Sequence, residues 1–331
     1  MGRGRHLMRT QPDAIIRNLE QHNSRLDKEG IIQAAHTEGV PEFFDGVRMA
    51  LDAMITFGVK TVPEATVDGQ GLAWTVFKEL ADKLVARELT GHAARDAIEL
   101  AMSIATQSQW NDWYRRILIK DLRCGVSEKT VNKVVPNCVP VFTCMLAHDS
   151  ANHEKKMKGK KQIEIKLDGV RVITIIRGNK VEMFSRNGKQ FHNFGHIIEE
   201  LEAVIKDYPV PYPLVLDGEV MSASFQDLMK QLQRKETVQN SDAVLHLFDT
   251  VPLGCFMNGS WDKPQSFRSA ITKHWVEDHK AVLQHVTALE WETVDLDTLE
   301  GEQRFVELNK AAVAGGYEGV MIKDVDAGYE C

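Results

Sequence analysis

Lys166-Leu167-Asp168-Gly169-Val170-Arg171 brings an amine, a carboxylate and a guanidinium together around one glycine. A lysine amine keeps its proton to about pH 10.4, so attack on a phosphorus requires neighbouring positive charge or desolvation to lower that value. Arg171 and a divalent metal are the candidate sources of that charge. The plain alternative is a charged β-turn, since Asp-Gly is a strong turn signal. Further along stand Ser185-Arg186-Asn187-Gly188-Lys189, Leu216-Asp217-Gly218-Glu219, Leu247-Phe248-Asp249 and Glu318-Gly319-Val320-Met321-Ile322-Lys323, with Glu219, Phe248 and Glu318 following Lys166 at successive intervals of 53, 29 and 70 residues. Each has an everyday explanation as well: Asp217-Gly218 as a turn, Phe248 as core, Glu318 as a solvated loop carboxylate.

Proteins that use nucleotides often hold phosphate on a glycine-rich loop, but this chain has none. The nearest approach, 123–130, ends in Lys129-Thr130 but carries Arg123 and Glu128 where glycines are needed, so its backbone cannot form the usual cradle. A dinucleotide-binding Gly-x-Gly-x-x-Gly is lacking too. Cys124, Cys138, Cys144, Cys255 and Cys331 are odd in number and never spaced Cys-x-x-Cys, which suggests neither a disulfide framework nor a zinc site. With 43% hydrophobic and 26% charged residues, the 331-residue chain has the composition of a soluble protein of two ordinary domains. No apolar run reaches membrane-spanning length, and Met1-Gly2-Arg3-Gly4-Arg5-His6 lacks both a signal-peptide core and a myristoylation Ser/Thr. The expectation is a soluble, cytoplasmic protein with no membrane partner. A net charge of -7 argues against a uniformly basic coat, so any phosphate contact depends on local clusters. Two stand out: Arg115-Arg116 through Lys120 and Arg123, and Lys155-Lys156-Met157-Lys158-Gly159-Lys160-Lys161.

The elements that must position these residues differ between the two halves. Up to about residue 135, apolar positions three and four apart predict helices over 43–57, 76–86, 94–104 and 110–122. Gly58 and Thr90-Gly91 punctuate them, and Ser127 ahead of Glu128 predicts an N-capped short helix running to Val135, before Pro136 and Pro140 break the chain. Beyond Lys161 the period changes to two, predicting strands over 162–166, 170–176, 181–185, 214–216, 244–248 and 320–322. Helical patterns at 197–206, 225–234 and 304–314 make this half α+β, with the charged stretch 149–161 as the expected linker.

Taken together in this order, the motifs resemble those of phage-type ATP-dependent DNA ligases, within the covalent nucleotidyltransferase superfamily that also holds RNA ligases and mRNA capping enzymes. The resemblance implies that Lys166 captures AMP from ATP. It implies adenine-side positions for Glu164 and the adjoining backbone of Ile165, a ribose-side role for Arg171, and contact of Arg186 with the nucleotide or the nick phosphate. It further implies ribose and metal contacts for Glu219, stacking of Phe248 on adenine, a metal contact for Glu318, and phosphate contact for Lys323. A Glu219–Glu318 pair suits Mg²⁺, a hard, oxygen-seeking ion. The stretch from Trp113-Tyr114-Arg115-Arg116 through Asp121-Leu122-Arg123-Cys124-Gly125 resembles the helical DNA-binding domain of these ligases. There Ile117, Leu118 and Leu122 would face inward, leaving Arg115, Arg116, Lys120 and Arg123 for phosphates of nicked double-stranded DNA, held without reading sequence.

The implied organisation is multidomain: an all-α DNA-binding domain over 1–141, then an α+β, ATP-grasp-like nucleotidyltransferase (adenylation) domain over 142–331, with the OB-fold absent. The family's Lys-x-Lys strand beyond Lys323 is also absent. A C-terminally truncated ligase is therefore expected, with a separate polypeptide as the candidate source of the Lys-x-Lys strand and OB-fold. The competing expectations are an RNA ligase or capping-type enzyme, and a fragment that binds DNA without chemistry.

Overall fold

The computed structural model describes residues 9–223 and 239–331; the helical pattern at 225–234 lies outside them. The chain divides into two compact units, Met1–Val141 and Phe142–Cys331.

In the first unit every described element is helical. Helices Trp74–Val85 and Gly91–Ile104 stand where the apolar spacing predicts them, Glu128–Val134 follows Ser127 as expected, and Pro41–Leu51 ends short of the expected 43–57. Two more, Pro12–Glu20 and Arg25–Glu38, have no counterpart in that reading. The second buries only Lys28, Ile32 and Ala35, too thin a stripe for periodicity to register. The helix expected over 110–122 is instead a π turn, Trp110–Tyr114, followed by one α turn, Arg115–Leu118. That π segment sends Trp110, Trp113 and Tyr114 into the core, where Phe43 stacks on Trp113 at 5.6 Å and Phe77 on Tyr114 at 4.3 Å. Ser127 occupies its N-cap position without a capping bond; its hydroxyl lies 3.3 Å from that of Thr130 instead.

The second unit holds a three-stranded and a six-stranded sheet, plus a two-stranded ribbon. Strands β1 (Lys160–Ile165), β9 (Trp291–Asp295) and β10 (Val320–Asp324) form the small sheet in the order β10-β1-β9, all antiparallel. Its apolar face, with Ile163, Val294, Val320 and Ile322, packs on Phe305 and Leu308 of helix Leu299–Ala314. The large sheet runs β4-β3-β2-β5-β6-β8 through Gln190–Phe191 (β4), Lys180–Phe184 (β3), Val170–Arg177 (β2), Leu214–Met221 (β5), Val244–Pro252 (β6) and Val286–Ala288 (β8). It is antiparallel except for β6 beside β8. Val172, Ile176, Leu216, Val220, Leu245 and Leu247 bury its outer face against Ile197, Leu201, Val204 and Ile205 of helix Gly195–Asp207. The stretch 149–161 is not an interdomain linker: it lies inside the second unit as two short 3₁₀ turns that lead into β1.

Strands β1 and β2 are consecutive but belong to different sheets, so 166–169 carries the chain from one sheet to the other. Nor is Asp217-Gly218 a turn. It sits within β5, opposite a bulge: Asp217 pairs with Asp249 and Gly218 with Leu247, leaving Phe248 as the extra, unpaired residue of β6. A Cβ on Gly218 would lie 2.5 Å from the His246 carbonyl oxygen, so only glycine lets the strands approach there. Gly218→Ala is expected to cost about 2 kcal/mol of stability, as strand spacing at the bulge is forced apart. Urea denaturation checks this, and an unchanged midpoint would show that the bulge accommodates a side chain.

Candidate active site

Lys166 stands where β1 ends, with its N–H donating to the Gly319 carbonyl oxygen at 3.0 Å. That bond ties the start of the crossing to the segment carrying Glu318, whose carboxylate contacts the Lys166 ammonium. Gly169 completes the crossing, its N–H donating to Glu219 Oε1 at 3.0 Å. A Cβ there would meet the Val220 carbonyl oxygen at 2.3 Å, so glycine is required for this close passage over β5. Lys166 is thus hydrogen-bonded to Glu318, and Asp168 and Glu219 add negative charge nearby.

This corrects the expected electrostatics. The Glu318 hydrogen bond, reinforced by the three carboxylates, holds the Lys166 pKa above its ordinary value, so the amine is an ammonium at neutral pH. Arg171 is engaged by another carboxylate. Its Nε and Nη2 clamp Asp217 at 2.6 and 2.7 Å, and Nη2 also donates to the Met145 carbonyl at 2.8 Å. Asp217 is wholly buried and accepts a further bond from the Tyr329 hydroxyl at 2.7 Å. Arg171 is therefore spent on a buried carboxylate rather than on activating the lysine.

A second cluster forms around Phe248. Arg171 lies 5.1 Å from the centre of its ring and Lys323 Nζ 4.5 Å, both within cation–π range. Lys323 Nζ is also 2.9 Å from Glu164 Oε2, at ion-pair distance but without hydrogen-bond alignment. Burial pushes the Glu164 carboxyl above the usual carboxylate range, with Lys323 partly offsetting it. Lys323 thus stands with Glu164 and Phe248. Ile165 pairs with Val320 in the small sheet, and Arg186 is exposed in the turn between β3 and β4.

Glu219 is partly buried, which raises its carboxyl pKa despite the Gly169 N–H bond. Among the described residues, no three His, Cys, Asp or Glu side chains form a ready metal cage. Two carboxylates, Glu219 and Glu318, nevertheless border Lys166, a donor set suited to an ion of the Mg²⁺ type that keeps waters and shares phosphate ligands. Sequence reasoning gave no role to Asp249 and passed over Arg268 and Tyr329, which hold the buried carboxylates Asp249 and Asp217. Arg268 falls in no apolar pattern, and Tyr329 is part of a two-residue strand, β11 (Tyr329–Glu330), paired with β7 (Ser260–Trp261).

A family model described as "ATP dependent DNA ligase domain" matches residues 144–331. The chain belongs to that family. The DNA ligase of Enterobacteria phage T4 is 27% identical over 187 residues, a match covering 53% of this chain and 38% of the phage protein. The DNA ligase of Halobacterium salinarum is 28% identical over 180 residues, covering 50% of this chain and 29% of the archaeal protein. The chain thus spans well under half the length of these ligases. A solved structure titled "Pmar-Lig_PreS3" is 64% identical, with TM-score 0.60, over 97% of this chain and 76% of that one.

The helical unit that precedes the ligase domain needs its own correction. Arg116 is buried; it pairs with Glu20 at 3.0 Å and Asp112 at 3.3 Å and donates to the Leu122 and Asn111 carbonyls. Arg115 donates to the Val62 carbonyl at 2.9 Å, and Lys120 Nζ donates to the Met49 and Asp52 carbonyls at 2.7 and 2.6 Å, at the C-terminal end of Pro41–Leu51. Helix ends and tight loops leave carbonyls unpaired, and these cations satisfy them. Ile117, Leu118 and Leu122 do face inward. Of the four expected phosphate ligands, only Arg123 presents an exposed side chain, 4.0 Å from Asp121. Arg116→Met is therefore expected to destabilise the chain by about 2 kcal/mol, because it strands partners of a largely buried ion pair. Arg123→Ala should stay within about 0.5 kcal/mol of the parent. Thermal unfolding of both variants checks the contrast; an Arg116 variant as stable as the parent would return that arginine to the surface.

Proposed function

We propose that this chain is the catalytic part of an ATP-dependent DNA ligase, which captures AMP on Lys166 and passes it to the 5′-phosphate of nicked double-stranded DNA. The observation that carries this reading is the lysine at the crossing between two sheets, ringed by Glu318, Asp168 and Glu219 and accompanied by the Phe248–Lys323–Glu164 cluster. In the first step the Lys166 ammonium loses one proton to solvent, the free amine forms a bond to the α-phosphorus of ATP as the bond to pyrophosphate breaks, and the nitrogen releases a second proton to solvent to leave the lysine–AMP phosphoramidate. AMP then moves to the 5′-phosphate, and the 3′-hydroxyl displaces it as the phosphodiester forms.

The roles divide by position. Phe248 offers its ring to the base, and Glu164 and Lys323 offer a carboxylate and an ammonium beside it. Glu318 withdraws from Lys166 for the amine to become nucleophilic, and Glu219 and Glu318 are the residues that would hold Mg²⁺. When bound, that ion supplies positive charge against the triphosphate and its leaving group. Arg186, exposed and flanked by Lys189, faces phosphate on either nucleotide or nick. Duplex DNA is held by Arg123 on the helical unit and by Lys155, Lys156, Lys158 and Lys160, all exposed; Lys161 is buried and paired with Asp324 at 3.5 Å. Such contacts neutralise phosphates without reading bases.

Incubation with α-labelled ATP and Mg²⁺ tests the reading directly. Protein-bound label is expected with the parent and none with Lys166→Ala, while Phe248→Ala should raise the ATP concentration needed by about tenfold. Label that survives Lys166→Ala would overturn the assignment of the nucleophile, and labelling by GTP in place of ATP would favour a capping-type enzyme. Sealing of a nicked duplex, with and without an added polypeptide bearing a Lys-x-Lys strand and OB-fold, shows whether this chain completes the reaction by itself.

A further inference from the structure

Arg268 has no exposed surface, an unusual state for the most strongly charged of side chains. All five of its N–H donors are matched. Nε and Nη2 grip Asp249 at 2.8 and 3.3 Å, Nη2 also donates to Gln265 Oε1 at 2.6 Å, and Nη1 donates to the carbonyls of Lys263 and Ala327. Asp249 is equally buried and is the residue immediately after the bulged Phe248. It stands directly opposite Asp217 in the ladder, so two buried carboxylates share one rung. Like charges there repel unless each has its own cation, and the cations are separate: Arg171 serves Asp217 and Arg268 serves Asp249. Arg268 lies 5.8 Å from the centre of the Tyr329 ring, whose hydroxyl donates to Asp217.

We propose that Arg268 is a positioning residue for nucleotide binding, which fixes Asp249 and so holds the bulge that presents Phe248 to the base. The inference rests on Phe248 as the base-stacking ring in the function proposed above. The contacts of Arg268 are all to protein groups, and its guanidinium acts through Asp249, the residue next to Phe248. Without it, Asp249 competes for Arg171, the cation that also flanks the Phe248 ring at 5.1 Å. The bulge then loses the anchor that decides which way Phe248 points. A bulge re-aims one side chain at the cost of a ladder bond, and its orientation depends on what holds the residue next to it.

Arg268→Met alone strands a buried carboxylate and is expected to unfold the chain readily. D249N/R268M removes both charges together and keeps similar volume, a change that buried ion pairs commonly tolerate. Equilibrium binding of ATP and of inorganic tripolyphosphate is measured in a Lys166→Ala background, alongside thermal unfolding. The double variant is expected to unfold within a few degrees of its parent yet bind ATP about tenfold more weakly, as expected for a lost stacking contact, with tripolyphosphate affinity unchanged. Arg268→Lys should fall between the two for ATP. Parental ATP affinity in the double variant, or equal weakening of ATP and tripolyphosphate, would overturn the positioning role. ATP binding by the parent without covalent label would refute the covalent reading and leave that of Arg268 standing, whereas no ATP binding at all would remove both.

Discussion

Two carboxylates share one rung of the ladder between β5 and β6, and much of the second unit is arranged around that fact. Asp217 and Asp249 are both fully buried and directly opposed. Ionised, they repel in a medium that screens poorly; left without partners, each carries a desolvation penalty of several kcal/mol. Burial pushes Asp249 upward in pKa, and the Arg268 hydrogen bond and charge oppose it. Each acid draws in elements distant in sequence. Asp217 brings Arg171 from β2 and Tyr329 from the last strand, whose hydroxyl also accepts from the Met145 N–H at 3.3 Å. Asp249 brings Arg268 and with it helix Gln265–Asp278, which reaches the small sheet through Ser269 and Gln162 at 3.4 Å. The polar network therefore links the two sheets where an apolar core would otherwise be expected.

That arrangement explains the charge balance at Lys166. Arg171 lies near the nucleophile in sequence but is committed to Asp217, so the field felt by the lysine is acidic, dominated by Glu318. Charge on the site-facing side is then sorted by position: acids border Lys166, while the two cations Arg171 and Lys323 flank the Phe248 ring. In the function proposed above, this sorting sets carboxylates where a divalent ion has most to contribute. Gly169 and Gly218 make the sorting possible, because each allows a backbone approach that a Cβ would block.

Much of this was legible before the fold was seen, and the boundary between legible and hidden is physical. Strands β1, β2, β3 and β6 carry β-branched or alternating runs, and helix Leu299–Ala314 repeats its apolar residues, so periodicity finds them. Helix Gln265–Asp278 escapes because four of its five buried residues, Gln265, Arg268, Ser269 and Thr272, are polar, and only Val276 is apolar. The motif residues Glu164, Lys166, Glu219, Phe248, Glu318 and Lys323 do converge, from strands that no local rule places side by side. What sequence could not show is pairing. Arg171 beside Lys166 in the chain suggested activation, yet the ladder sets Arg171 opposite Glu219, from where its guanidinium reaches diagonally to Asp217.

The same distinction governs the helical unit. Arg115, Arg116 and Lys120 read as a basic patch, but each donates to backbone carbonyls, and Arg116 also to Glu20 and Asp112. Lys28 does the same for the Cys124 carbonyl at 2.6 Å, beneath the loop that exposes Arg123. A cation used in this way adds rigidity, and where a carboxylate pairs with it, as Glu20 and Asp112 do with Arg116, its long-range field is largely cancelled. In a chain of net charge -7, attraction to a polyanion depends on where cations are exposed at the surface. Internal lysines and arginines set the shape of the loop, and Arg123, held at φ 51° in the left-handed region, is the residue that this shape turns outward.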